Sequence, residues 1–304
     1  MARTALFGRR QPGGVWTVDD LAAHPGDIYF VDSGHSATSD SAGYGKSPDM
    51  PFATLDYAVS NCTASQGDVI YVMPGHAENL AADSAVDIDI AGVKVIGLGW
   101  GAQRPTFTAT AVAGDFKLAA AGVWIENLLF LGGIDATTGI LEVSAADCTI
   151  KDCEYRDSTG QATDIVMLVS ADRTHIDGLK VIGAAADDGD SAVSLADSDD
   201  AHIENCYLYG NFDLGGIEFR TTASARTIVH DCTIWTEAGE DLGIKDTVTG
   251  STGIIGPRVF LNLEDDADNV TEAVTGATFN IMPPVYVCNA ANQKAVMIDW
   301  TEVA

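Results

Sequence analysis

The sequence predicts an all-β fold, a right-handed parallel β-helix with a short N-terminal capping helix. Three observations carry that prediction. A short motif returns every 25 to 27 residues, as Ile125-Glu126-Asn127-Leu128-Leu129-Phe130, Ile150-Lys151-Asp152-Cys153-Glu154-Tyr155, Ile176-Asp177-Gly178-Leu179-Lys180-Val181, Ile203-Glu204-Asn205-Cys206-Tyr207-Leu208 and Val229-His230-Asp231-Cys232-Thr233-Ile234. A second ladder keeps step with it at Leu118, Val143, Leu168, Leu195, Phe219 and Ile244. The spelling around both is period two, as in Ile217-Glu218-Phe219, whereas helical repeats would need longer units with 3.6-residue stripes. A period of this length is a stacking unit, with strands of successive coils pairing about 4.8 Å apart.

The elements follow in order. Residues 1–27 read as an arm and lead-in, with Arg3, Arg9 and Arg10 and no acid in the first ten residues, and without the continuous apolar stretch of a signal peptide. Ile28-Tyr29-Phe30-Val31 is the first strand. A helix is expected over residues 51–62, with Asp49 as N-cap and Phe52, Leu55, Ala58 and Val59 on one face, covering the open end of the solenoid. Val69-Ile70-Tyr71-Val72 and Val93-Lys94-Val95-Ile96 are further strands. The β-helix, cap included, spans residues 28–264, and 265–304 form a C-terminal cap or tail beyond the acidic run Glu264-Asp265-Asp266-Ala267-Asp268.

Two columns inside the motif predict local geometry. Asn127, Asp152, Gly178, Asn205 and Asp231 are types that tolerate left-handed backbone, so a tight bend is expected there in every coil. Cys153, Cys206 and Cys232 share a slot with Leu128 and Leu179, which marks them as small buried hydrophobes rather than metal ligands, nucleophiles or disulfide partners.

The opening segment Pro51-Phe52-Ala53-Thr54-Leu55-Asp56-Tyr57-Ala58-Val59, followed by Gln66-Gly67-Asp68-Val69-Ile70-Tyr71-Val72-Met73-Pro74-Gly75, resembles the start of pectin-lyase-like β-helices. That superfamily includes polysaccharide lyases, hydrolases, epimerases, surface proteins and virus particle proteins. In this capped single-domain form the resemblance implies a non-catalytic structural or surface protein of a phage or virus particle, a decoration or tail-associated protein. Three chains would pack side by side as a homotrimer, contacting other virion proteins. The alternative it implies is an extracellular carbohydrate-active enzyme, a polysaccharide lyase or glycoside hydrolase, or a glycan-binding module. Lyases of the superfamily pair an acidic Ca2+ cluster with a basic residue, and its hydrolases cluster Asp carboxylates on the outside of the helix.

No close match to those catalytic motifs is present, so no catalytic residue is assigned. Acids crowd Asp187, Asp188 and Asp190, then Asp197, Asp199 and Asp200, then Asp213, Glu237, Glu240 and Asp241. The first trio forms an expected turn that could hold Ca2+ through oxygen ligands, yet it lacks a closing Glu; no other cofactor is expected. Arg173, Arg220 and Arg226 are expected to form surface salt bridges. His175 and His202 align in successive coils and could stack, but no third ligand is evident from sequence, so no zinc site is expected. Tyr207, Tyr209 and Trp235, with Tyr155, are candidate anchors for a partner chain or a glycan. Arg3, Arg9 and Arg10 are the candidate assembly arm.

With 44 Asp and Glu against 16 Lys and Arg, the formal net charge is −28. That field repels phosphate, so nucleic acid is excluded as a partner, and no segment suggests a membrane partner. Acidic polysaccharide is disfavoured unless cations intervene. Such a surface fits a salty, marine or halophilic medium, in which repulsion is screened to a few ångströms. Thermal unfolding should therefore shift upward between about 0.05 and 1 M NaCl, as the screening length falls toward ~3 Å; an unchanged midpoint would remove the salt-adapted reading.

Overall fold

The computed structural model describes residues 26–157, 163–183, 188–236, 243–263, 273–275, 278–289 and 296–298. Each coil contributes a strand to three faces. The coil Thr149–Lys151, Glu154–Arg156 and Ile165–Val169 is typical. The first face is a ten-stranded parallel sheet running from Ile28–Val31 to Phe279–Ile281. The second and third faces join into one sixteen-stranded sheet, because Tyr207–Phe219 runs unbroken around the corner between them. The result is a right-handed parallel β-helix of about seven turns, as the repeat predicts.

The core is a set of stacked columns. On the first face, Val95, Ile125, Ile150, Ile176, Ile203 and Val229 lie in register coil upon coil, all buried. On the second, Phe107, Phe130, Tyr155, Val181, Leu208 and Ile234 do the same. Each such side chain contributes about 1.5–3 kcal/mol by leaving water, but only because the coils above and below supply the other walls. Cys153, Cys206 and Cys232 are buried in one slot with Leu128 and Leu179, and all six cysteines are free.

The turn from the first to the second face has the expected geometry: Asn127, Asp152, Gly178, Asn205 and Asp231 have φ of 58°, 50°, 75°, 57° and 55°. Asn127, Asp152, Gly178 and Asp231 hydrogen-bond to the next coil through their own amides, for example Asp152 N to Asp177 O at 2.8 Å. A second left-handed column leads into the first face at Asp147, Arg173, Asp200 and Arg226, with φ of 63°, 55°, 57° and 60°. Its charges alternate. Arg173 pairs with Asp147 through Nε and Nη2 at 2.6 and 2.9 Å, and Arg226 pairs with Asp200 at 2.6 and 2.7 Å. The expected salt-bridging roles of Arg173 and Arg226, and the crowding of Asp199 and Asp200, are accounted for by this ladder.

Three expectations are corrected. The second ladder is Leu118, Val143, Val169, Leu195 and Phe219; Leu168 instead points outward, level with Glu142 and Ser194, and Ile244 pairs with Ile217. Met167, Leu168 and Val169 are all apolar, so composition leaves the register open by one residue, and one residue reverses the face. The capping helix is Leu55–Ser60, shorter than expected, with Thr54 as N-cap accepting from Tyr57 N rather than Asp49. Phe52 is drawn into a parallel bridge with Val31, and Asp40 accepts from Ala53 N and from the Thr54 hydroxyl, so the chain turns helical only afterwards. The predicted apolar face, Phe52, Leu55, Ala58 and Val59, is buried. Finally, Asp188–Leu195 is a strand paired with Tyr207–Phe219, not a turn.

At the C-terminal end Phe279–Ile281 and Val285–Asn289 continue the parallel ladders, and Val296–Ile298 adds an antiparallel strand. Among the described residues no helix is long and apolar enough to cross a membrane.

The register has a direct test. Val169→Asp puts an unpaired charge in the core and should cost more than about 3 kcal/mol in urea unfolding, whereas Leu168→Asp should cost less than about 1 kcal/mol. The reverse order would place the ladder one residue away.

Candidate functional site

The third face carries an outward column that reads Asp87, Lys117, Glu142, Leu168, Ser194, Glu218 and Lys245. Among its acids Glu218 alone is buried, at 1% exposure. Ser191 and Ser194, one coil below, donate their hydroxyls to Glu218 Oε2 at 3.4 and 3.2 Å. Arg220 Nη1 lies 3.8 Å from Glu218 Oε2 and 3.9 Å from Asp190 Oδ2. Two carboxyl groups from successive coils thus meet at one guanidinium nitrogen. Arg220 was expected to be an ordinary surface ion pair; unlike Arg173 and Arg226, it holds neither acid at close bidentate range.

Burial pushes the Glu218 carboxyl above the ordinary carboxylate range, with Arg220 and the serine hydroxyls opposing and the Asp190 charge adding. Asp164, in the coil before Asp190, is raised as well, by burial and then by Asp190 and Asp135. A carboxyl that keeps its proton to higher pH beside a more exposed carboxylate is the arrangement that divides acid from base duty between two like groups. The parallel register produces it: the strand that buries Glu218 also carries Tyr207 and Tyr209 on the adjoining second face.

On that second face, Tyr209 stands level with Trp235, ring centroids 6.4 Å apart and edge-on, while the Tyr207 column continues through Thr233 to Phe260 and Tyr286. Phe260 and Tyr286 stack at 5.3 Å and 15°. Tyr207, Trp235 and Phe260 are exposed. Tyr155, by contrast, is a core residue whose hydroxyl donates to Thr163 Oγ1 at 2.6 Å, so it offers no stacking face.

Of the residues singled out in the sequence, Tyr207, Tyr209 and Trp235 come together and Asp190 joins Arg220. Asp187, Glu237, Glu240, Asp241 and the arm residues Arg3, Arg9 and Arg10 lie outside the described residues, as does the side chain of Asp188. Glu218, Asp164 and the Phe260–Tyr286 pair were missed. The aromatic pair could have been found by extending the Tyr207 column two coils onward, but the burial of Glu218 had no signal, since outward positions of a strand are ordinarily wet.

No family model matches the chain, and no curated protein matches it. Among solved structures, a rhamnogalacturonan lyase superposes with a TM-score of 0.51 at 12% sequence identity, covering 92% of this chain and 87% of that one. At that identity the likeness shows the fold alone: the chain shares a right-handed parallel β-helix with that lyase.

Because Glu218 has a raised carboxyl, its favourable contribution is present at low pH and is lost as pH rises through its folded value, starting from about 4.3 for a free Glu. Glu218→Gln should therefore gain on the wild type in melting temperature as pH goes from about 4 to 8. A difference that stays flat, or shrinks, would show that the carboxyl is not held protonated by its site.

Proposed function

We propose that this chain is a carbohydrate-active β-helix, working outside the cell on a glycan laid along the second and third faces. The observation that carries the reading is the convergence of Glu218 and Asp190 on Arg220 Nη1, on the strand that also presents Tyr207 and Tyr209. Outward aromatic rings are flat apolar platforms for sugar rings, and the stripe from Tyr207 to Tyr286 follows the direction a polymer would take. The fold shared with a rhamnogalacturonan lyase lends support at the level of architecture.

In this reading the buried Glu218 gives its proton to the glycosidic oxygen as the C–O bond breaks. The Asp190 carboxylate takes a proton from the water that adds to the anomeric carbon. Arg220 keeps both carboxyl groups on one side of the chain. A neutral glycan suits a protein of net charge −28 better than a polyuronate, which the same field repels.

The test is reducing-end release from a panel of neutral and uronate-containing polysaccharides. Release from a neutral polymer is expected, falling at least about 100-fold in Glu218→Gln, with retention of the polymer on an affinity gel weakened about tenfold in Trp235→Ala. Neither binding nor release from any polymer would overturn the reading.

A second reading, a non-catalytic surface protein of a virus particle assembled as a homotrimer, is favoured by the exposed Trp235 and Phe260 on a flat side of the solenoid, which could serve as a lateral contact between chains. Light scattering separates it at once: a species of three 31.8 kDa chains supports it, and a monomer that releases sugar ends excludes it.

A further inference from the structure

The first face, on a different side of the solenoid from Glu218, carries three imidazoles and a carboxylate on three successive coils. His175 and His202 occupy one outward column, and Glu204 and His230 the next. The sequence aligns the first two and offers no third ligand; parallel register supplies Glu204, two residues after His202 and so on the same face, and His230 directly above it.

The donor atoms of His175, His202 and Glu204 all lie within 4.8 Å of one another. His175 Nε2 is 2.8 Å from Glu204 Oε1, His202 Nε2 is 2.8 Å from His230 Nε2, and His230 Nε2 is 3.5 Å from Glu204 Oε2. The His175 and His202 rings stack at 4.9 Å and 11°. Donors bound tetrahedrally at 2.0–2.1 Å stand about 3.3 Å apart, close to the three donor contacts of 2.8–3.5 Å; His230 touches Glu204 and His202 but lies outside the set mutually within 4.8 Å.

Nδ1 of His230 lies 2.6 Å from Asp231 Oδ2, and Arg258 pairs with the same Asp231 through Nη2 at 2.6 Å. With Asp231 against Nδ1, the His230 ring turns Nε2 toward His202 and Glu204, the carboxylate–histidine arrangement that orients metal ligands. His230 Nε2 faces both a second imidazole nitrogen and a carboxylate oxygen, so three groups able to offer lone pairs converge on one point. A cation resolves that crowding.

We propose that His175, His202, Glu204 and His230 form a site for a divalent transition-metal ion of the zinc type, clamping three successive coils together. Imidazole selects such ions over Ca2+ and Mg2+, which prefer all-oxygen shells. The site is independent of the glycan reading, since it shares no residue or face with Glu218.

The experiment uses the full chain without a histidine tag. Isothermal titration with ZnCl2, in excess Ca2+ to occupy scattered carboxylates, should show one Zn2+ per chain, and Co2+ should give the intense visible bands of tetrahedral coordination. His202→Ala should weaken Zn2+ at least about 100-fold and His230→Ala about tenfold, while His35→Ala, in a loop far along the chain, should leave affinity unchanged. Saturating Zn2+ should raise the melting temperature by about 5 °C, and that rise should vanish in His202→Ala. If His202→Ala fails to fold, His175→Gln gives the same readout from an outward position. Displacement by Ca2+, a stoichiometry other than one, or wild-type affinity in both His202→Ala and His230→Ala would overturn the site and assign the binding to the general acidic surface.

Discussion

Parallel pairing of each strand with its counterpart one coil away is the constraint from which the rest of this structure follows. It fixes the vertical step at about 4.8 Å and demands that whatever occupies an inward position be compatible with its neighbours above and below. An isoleucine in the first-face column is packed by isoleucines of adjacent coils, so no coil is stable by itself and the column as a whole is the core. The chain absorbs differences in coil length at the corners and at register shifts near the start of the third-face strands, as between Thr138 and Leu141 and between Gly189 and Ser191. From the first face to the second, the step is five residues in each of the coils from Ile125 to Phe130 through Val229 to Ile234, with one left-handed residue making the bend. The corners on either side of the third face take up the variation.

The same constraint arranges charge. Stacking an acid on an acid every 4.8 Å would be costly in a chain this acidic, and the few cations are placed where that would otherwise happen. Arg173 and Arg226 alternate with Asp147 and Asp200 along one left-handed column, and Arg258 closes on Asp231 in the other. These pairs are exposed, and each is worth little alone. Their role is to separate the acidic turn residues, so that no two acids of the Asp147 column stand directly above one another. On the outward faces Lys117 and Lys151 likewise pair with Glu142 and Asp177, yet the surplus of acids leaves much of the charge to be balanced by the medium.

How much was legible in the sequence follows from which parts of the coil are invariant. The Ile125-to-Val229 column, the bend at Asn127 through Asp231 and the buried cysteine slot could all be read, because a fixed five-residue step repeats them in phase. The third face could not be read to the residue: its corners vary in length, and Leu168 sits between two equally apolar neighbours, so phase was lost by one position. The Thr54 cap was hidden because it depends on Asp40, a contact closed across the loop. Glu218 was invisible for a different reason. Alternation says that it points outward, and only the serines below it and the turn of Tyr207–Phe219 around the corner make an outward position dry. His230 was visible as a residue but not as a neighbour of His202, since the two belong to adjacent columns and only the register of the paired strands joins them.

A solenoid separates the residues that hold it together from those that are free to vary more completely than a globular core does. Inward positions answer to the columns, whereas outward positions answer to nothing unless a ligand requires them. Two outward clusters in this chain are nonetheless expensive: Glu218 is a carboxyl buried where a wet residue would be cheaper, and His202 presses an imidazole nitrogen against that of His230 where Ile228 and Ile254 in the same column show that an apolar residue serves as well. Neither cluster closes an end, fills a column or makes a bend, so fold stability gives no account of them. Unfavourable placements that the architecture does not need are where chemistry is to be sought in a fold of this kind, and here they fall on separate faces, one proposed to meet a sugar polymer and the other a metal ion.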